Sequence, residues 1–434
     1  MFFYFTGVTV IRMEKTANFT AGELRARRRA LCAAMNTYHP DWETALFADP
    51  VNQYYLTGTI QDALIVLRRT PEAEGHFFYG VRRSYSRACR ESPLFQPGEC
   101  AGEEIFPIAS YRDLAGRTGS VLGRVYLEGD TMPFAVIERL KKYFVFSRPA
   151  ECTGAHTAGA GFLDAVIRQV RSIKSPAEIN LMRRAGDAHR ILLEERVPAI
   201  LCEGISEAEF FGELSAAMYQ LGYQGITRFH QCRSEMCLGQ IGFGVNALVP
   251  SFFDGPGGAK GNCPAAPFGA DEDRRLQKGD AVFVDIGFGI GGYHTDKTQV
   301  YFFGARPPDE FVKAHQLCVD IQRRLAGQLV PGAIPSKLYQ DMLNSLNVDE
   351  RDCFMGVDND HQVKFAGHGT GLDIDELPVL AKGFDEPLCA NMTLALEPKK
   401  AVAGTGLAGV EDTYIVTEEG GLCITGGGRD IIVI

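Results

Sequence analysis

The sequence predicts an α/β protein of two domains, an N-terminal α/β unit over residues 1-160 and a C-terminal unit over 161-434. Three observations lead there. The 434 residues exceed what a single hydrophobic core usually serves. A run of small, flexible residues at 151–161 reads as a linker. Beyond it, an order of two helices followed by strands occurs twice, and each half ends in a hairpin-like segment carrying two acids.

In the first domain a basic helix, Leu24 to Met35, leads into an apolar strand at Ala45 to Ala48. Asp49-Pro50-Val51-Asn52 reads as a turn cluster before Tyr54-Tyr55-Leu56-Thr57-Gly58. Ala63 to Leu67 and Arg124 to Leu127 read as strands, and Pro133 to Phe144 as a helix. Met1 to Arg12 is apolar at Phe2 to Phe5 but lacks a basic start and a small-residue cleavage site, so it does not read as a signal peptide. A first strand or an unstructured start is the plainer reading, with Met13 as an alternative initiator.

The second domain opens on Ser175-Pro176-Ala177-Glu178. Ser175 caps the helix, proline takes its first position, and Glu178 reaches back to the cap. Ile179, Met182, Ala185 and Leu192 follow at helical spacing. Ser206 and Glu209 start a second helix that Gly222 ends, and a long β region is expected over 226–303. Helices then recur at Asp309 to Leu329 and Ser336 to Leu346, and strands fill 362–417.

A formal net charge of −10 argues against a nucleic-acid surface, which needs a basic stripe to neutralise phosphates. No apolar run is long enough to span a membrane. The twelve cysteines show no C-x2-C spacing. Cys232 and Cys237 near His230 form the closest cluster, read as buried free thiols rather than a metal site. Scattered cysteines in a chain this long suggest a reducing cytoplasm.

The acids carry the chemistry. Ala281-Val282-Phe283-Val284-Asp285 is a buried strand ending in a carboxylate, and Asp296 lies on the return strand 11 residues later. Gly287, Gly289, Gly291 and Gly292 would make the turn, letting the two acids converge at the base of a hairpin. Facing carboxylates repel, and a bound cation is the usual solution. In the second half His368 lies between Gly367 and Gly369, and Glu397 and Glu411 follow, 14 residues apart. Four carboxylates and one imidazole suit Mn²⁺, Fe²⁺, Co²⁺ or Zn²⁺. Gly287-Gly289-Gly292 and Gly404-Gly406-Gly409 both fit G-x-G-x-x-G, but each runs into a strand pattern, so neither is a dinucleotide fingerprint.

The order Asp, Asp, His, Glu, Glu resembles the metallopeptidases of the pita-bread fold, the Xaa-Pro aminopeptidase, prolidase and creatinase group. Gly292-Tyr293-His294-Thr295-Asp296-Lys297-Thr298 matches that family's pattern around its second acid. Ile173 to Ile179 resembles the opening of its catalytic domain, and Asp49 to Asn52 with Tyr55 to Gly58 resembles its N-terminal domain. The resemblance implies a creatinase-like domain followed by a pita-bread domain with pseudo-two-fold α-α-β repeats. It implies two divalent ions, Mn²⁺ first, held by Asp285, Asp296, His368, Glu397 and Glu411, with a hydroxide between them. Asp285 would chelate one ion, His368 and Glu397 the other, while Asp296 and Glu411 bridge. Glu397 would also shuttle the proton to the leaving amine. A homodimer acting on a small peptide or other small molecule is implied too.

The family pattern breaks at three places. Asp375 stands where a second histidine is usual, with Glu376 beside it as a further candidate acid. Ser251 stands where a histidine follows Gly-x-Asn-x-x-x-Pro, and Gly409 replaces an arginine two residues before Glu411. The missing imidazoles would contact the substrate carbonyl or the tetrahedral intermediate, and losing one such donor costs about 10²–10³ in rate. Asp375 is then either a solvated loop acid or a replacement acid/base in the cleft, and His230, His294 and His361 are alternative imidazoles. A metal-dependent hydrolase cleaving beside proline is the leading expectation. The rivals are a lyase or hydrolase acting on a small non-peptide molecule with Asp375 as its acid/base, creatinase-like hydrolysis, and a non-catalytic binding protein.

Overall fold

The structure, a computed structural model, describes residues 19–99, 101–147, 160–230, 236–428 and 430–434. The expected linker core at 151–159, the Met1 to Arg12 segment and Cys232 lie outside them. The chain divides into two compact units, Ala17–Arg171 and Ser172–Ile434. The helix at Asp164–Ser172 thus falls almost wholly in the first unit.

The first unit is a mixed sheet in the order Glu103–Pro107, His76–Val81, Ala63–Arg68, Thr44–Phe47, Val121–Leu127, Val145–Ser147. Leu46, Val66, Phe78 and Leu127 pack into one core on it. Asp49-Pro50 is not a turn. Asp49 accepts from the amides of Val51 and Asn52 and caps a helix at Pro50–Thr57, which Gly58 ends in the left-handed region. An Asp-Pro pair opens turns and helices alike, and here the apolar stretch behind it decides for the helix.

In the second unit both capping boxes form, at Ser175/Glu178 ahead of Pro176–Ile191 and at Ser206/Glu209 ahead of Glu207–Gln220. A hairpin follows, Ala281–Ile290 paired with Tyr293–Phe302. Its turn is Gly291-Gly292, both at positive φ as a tight two-residue hairpin requires. The expected β region over 226–303 is less continuous than the sequence suggests. Its described strands are Gly239–Phe243 and the two hairpin arms, because the glycines and prolines from Gly255 to Pro267 break the run between them.

The second half repeats the order. Helices Asp309–Gly327 and Pro335–Asn344 precede a five-stranded sheet ordered Glu376–Ala381, Phe365–Gly369, Thr393–Leu396, Asp412–Thr417, Gly420–Cys423. A short two-stranded sheet pairs Lys399–Val402 with Gly406–Gly409. The halves are sewn together along one seam. The Thr298 amide donates to the Glu411 carbonyl at 3.2 Å, and the Asp296 amide to Thr413 Oγ1 at 2.9 Å. Beside them a fully buried Lys297–Asp412 pair closes at 2.7 Å.

Candidate metal centre

Register places the first two acids. Asp285 lies opposite Thr298 and Asp296 opposite Gly287, so the carboxylates share one face of the hairpin on a diagonal. They meet in mid-strand rather than at the hairpin's base. Gly287 and Gly289 belong to the strand, not the turn. A side chain at Gly287 would press on Thr227 and Ile374 at 3.0 and 3.1 Å, so the glycine admits the segments that cover this face.

The second half supplies the remaining groups across the seam. His368 sits on the Phe365–Gly369 strand, paired with Ala395, which brings Glu397 just past the end of the neighbouring strand. Glu411 directly precedes Asp412–Thr417. From His368 Nε2 the distances are 3.3 Å to Glu397, 3.8 Å to Glu411 and 3.9 Å to Asp296. His368 Nδ1 lies 3.0 Å from the Gly369 carbonyl. That carbonyl can accept the Nδ1–H, so that Nε2 is the nitrogen that becomes a ligand once its own proton is displaced.

Lys399, absent from the expected set, enters the same cluster. Its ammonium is fully buried and donates to Asp285 at 2.9 Å, Glu397 at 3.0 Å and Glu411 at 2.8 Å. Burial works against that charge, but the three acids outweigh it and raise the lysine pKa well above its usual value. Burial, then the neighbouring acids, hold the carboxyls of Asp296 and Glu411 well above the usual range. Burial would lower His368, yet Asp375, Glu397 and Asp296 lift it to about 9. The cluster is short of positive charge even with the lysine inside it.

The donors fit one divalent ion. Glu411 Oε1 is buried with no hydrogen-bond partner among the described residues. It belongs to a trio, Asp296, His368 and Glu411, whose ligand atoms lie within 4.8 Å of one another. Glu397 Oε1 faces the same imidazole nitrogen. A cation there would satisfy the orphaned oxygen, and in binding it would displace the imidazole proton. On the other side of the cluster Asp285, Glu397 and Glu411 each give an oxygen to Lys399.

Asp375 faces this centre, with Oδ1 3.4 Å from His368 Nδ1. Burial raises its carboxyl pKa. Glu376, expected as a further catalytic acid, turns the other way. It pairs with Lys174 at 3.2 Å, both side chains almost fully buried, and accepts from the Asp373 amide at 3.1 Å. Adjacent residues entering a strand face opposite sides, which separates the two acids. Ser251 accepts from the Phe253 amide at 3.3 Å. His294 lies on the Asp296 face but near the hairpin tip, where its ring meets the Gly371 carbonyl and Gln224. His361 is at the surface with Asp358.

A cavity of about 50 Å³ is lined by Asp285, Asp296, His368, Asp375, Glu397 and Glu411, among others. A larger one of about 510 Å³ shares His368 and Asp375 and is walled by Asp254, Lys364, Phe365 and Phe384. The small space suits an ion and a water, and the larger one suits a small organic molecule.

Comparison with known proteins agrees with this architecture. Residues 180–418 match metallopeptidase family M24, and residues 27–173 match the creatinase/prolidase N-terminal domain. The probable dipeptidase PepE of Mycobacterium tuberculosis is 29% identical over 274 residues, which span 62% of this chain and 62% of that protein. The match thus spans less than two thirds of that relative's length. The Xaa-Pro dipeptidase of Pyrococcus furiosus is 23% identical over 392 residues, 90% of this chain and 95% of that protein. The solved prolidase from Pyrococcus furiosus superposes with a TM-score of 0.70 at 19% identity, covering 92% of this chain and all of that one. For the Xaa-Pro dipeptidase from Bacillus anthracis the TM-score is 0.71 at 20% identity, with 96% and 100% covered. At these identities the superpositions establish the fold, which is the one the sequence motifs imply. With a family match over more than half its length, the chain belongs to metallopeptidase family M24 and carries a creatinase/prolidase N-terminal domain.

Proposed function

We propose that this chain is a metal-dependent peptidase that cleaves short peptides beside proline, as an Xaa-Pro dipeptidase or aminopeptidase. The observation that carries the reading is the convergence of Asp296, His368, Glu397 and Glu411, with His368 also lining the larger cavity, which is the size of a small organic molecule. The relatives named dipeptidase and Xaa-Pro dipeptidase support the substrate class. The hard, oxygen-rich donor set favours Mn²⁺, with Zn²⁺, Co²⁺ and Fe²⁺ as alternatives. A homodimer in the cytoplasm completes the reading. The free thiols of the described cysteines support the compartment, and the dimer follows only the family resemblance.

When bound, the ion supplies Lewis-acid polarisation of the scissile carbonyl and activation of a water. The side chains do the rest. Asp296, His368, Glu397 and Glu411 would hold the ion. Glu397, with Oε2 fixed by Lys399, carries a proton from the attacking water to the leaving amine. Asp375 orients His368 and faces the substrate, while Lys364 in the larger cavity offers a positive charge to the carboxylate of a short peptide. Asp285 neutralises Lys399.

The position of Asp375 favours one second reading. A carboxyl beside so small a space could serve as acid or base toward a small non-peptide substrate. Assays on Xaa-Pro dipeptides, longer Xaa-Pro peptides and matched peptides without proline separate the two. The peptidase reading expects proline-dependent cleavage that chelation abolishes and added Mn²⁺ restores. A metal-loaded protein that cleaves none of the panel refutes it.

A further inference from the structure

We infer that Lys399 is a resident cation standing where a two-ion centre would hold its second metal, so that this chain binds a single divalent ion through Asp296, His368, Glu397 and Glu411. The inference rests on the metal-dependent reading above and adds the number of ions and the residue that sets it.

The ammonium has three protons and three carboxylate acceptors, at 2.8, 2.9 and 3.0 Å, with none of its side chain exposed. The charge also lies 5.9 Å from the centre of the Phe283 ring. The backbone is shaped around it. Lys399 pairs across the two-stranded sheet with Gly409, which holds φ at 151°. A side chain at Gly409 would fall 2.8 Å from Lys399 Cα and Cγ. The glycine that replaces an arginine in the family pattern therefore leaves the space the lysine stem occupies.

Both glutamates are divided between the two cations. Oε2 of Glu397 and of Glu411 accepts from Lys399, while Oε1 of each faces His368 Nε2. Asp285 is on the lysine side, and among the described residues the ion-sized trio leaves it out. A second divalent ion on Asp285 and Glu411 would share their oxygens with an ammonium in van der Waals contact, and like charges at that range repel strongly in a buried site. The charge balance agrees. Four carboxylates beside one divalent ion, one ammonium and a neutral water carry the same net charge as four carboxylates beside two divalent ions and a hydroxide.

The test is elemental analysis of the full chain after saturation with Mn²⁺ and removal of the excess. The wild type is expected to retain one Mn²⁺ per chain, with the electron paramagnetic resonance signal of an isolated ion. Lys399→Ala is expected to double the count and give the signal of a coupled pair. Asp285→Asn is expected to stay at one, which keeps the proposal decidable if Lys399→Ala does not fold. Two ions in the wild type, with Lys399 only a counter-charge behind them, would overturn the inference and leave the peptidase reading standing. So would a Lys399→Ala variant that folds and still holds one, or an Asp285→Asn variant that loses an ion. A wild type that binds none overturns both. One ion without peptide cleavage supports the inference and removes the peptidase reading alone.

Discussion

Asp375→Asn removes one negative charge from the centre and keeps the side chain's shape. Asp375 Oδ1 stands 3.4 Å from His368 Nδ1, while the Gly369 carbonyl lies closer to that nitrogen, at 3.0 Å. Gly369 can therefore still hold the tautomer, and the loss is limited to the electrostatic share of the Asp375 contact. A hydrogen bond to a charged group contributes about 1.5–3 kcal/mol and a neutral one about 0.5–1.5. At the long distance seen here the difference is about 1 kcal/mol, or roughly fivefold in metal affinity. That sits just below the ~10–100-fold range for groups that orient a metal-binding histidine. Titration against a chromophoric chelator gives the affinity, and kcat measured with metal in excess gives the remainder. The positioning role predicts a weaker ion and a kcat within a few-fold of wild type once the site is saturated. Unchanged affinity would refute the coupling to His368. A fall in kcat of about 10²–10⁴ at full occupancy would make Asp375 a general acid or base instead.

The Lys174–Glu376 pair is buried on both sides, so Glu376→Ala should destabilise the second unit by about 3–5 kcal/mol by taking this carboxylate away from a buried ammonium. Thermal unfolding would show that loss. The double variant Lys174→Met, Glu376→Leu should recover most of it and remain active, whereas a folded but inactive double variant would return Glu376 to the chemistry. In the first unit, burial would raise the Glu103 carboxyl, but Arg25 at 2.9 Å and Arg28 at 2.6 Å hold it at about 2. Its folded pKa lies below the ordinary value of 4.5, so its contribution is present above pH 4.5 and is lost as pH falls toward 2. The shift corresponds to roughly 3 kcal/mol at about 1.4 kcal/mol per pKa unit. Arg28→Met should flatten the acid limb of the stability profile between those pH values, and an unchanged limb would contradict the assignment.

Much of this was legible because its signals are local. Ser175 with Glu178 and Ser206 with Glu209 state a helix start within four residues, and both boxes form as read. Four acids and His368 stand out in the sequence, and the structure brings Asp296, His368, Glu397 and Glu411 together. What escaped depends on packing between distant segments. Gly287 reads as a turn residue, yet it is a strand residue pressed by Thr227 and Ile374, some sixty and ninety positions away. Asp375 and Glu376 look like a pair of candidates, but the start of a strand between them sends Glu376 to Lys174, two hundred positions away. Lys399 carries no local mark of its role in the sequence. It stands two residues after Glu397, and only the three converging carboxylates reveal its destination.

The most direct test of the central claim couples metal content to cleavage in one preparation. Wild type and His368→Ala would be loaded with Mn²⁺, analysed for bound metal, and assayed on Xaa-Pro dipeptides beside proline-free controls. The account predicts metal and proline-dependent cleavage in the wild type, and loss of both in a folded His368→Ala protein. Wild-type cleavage that survives complete removal of metal, or a His368→Ala variant that keeps its ion and its activity, would contradict it.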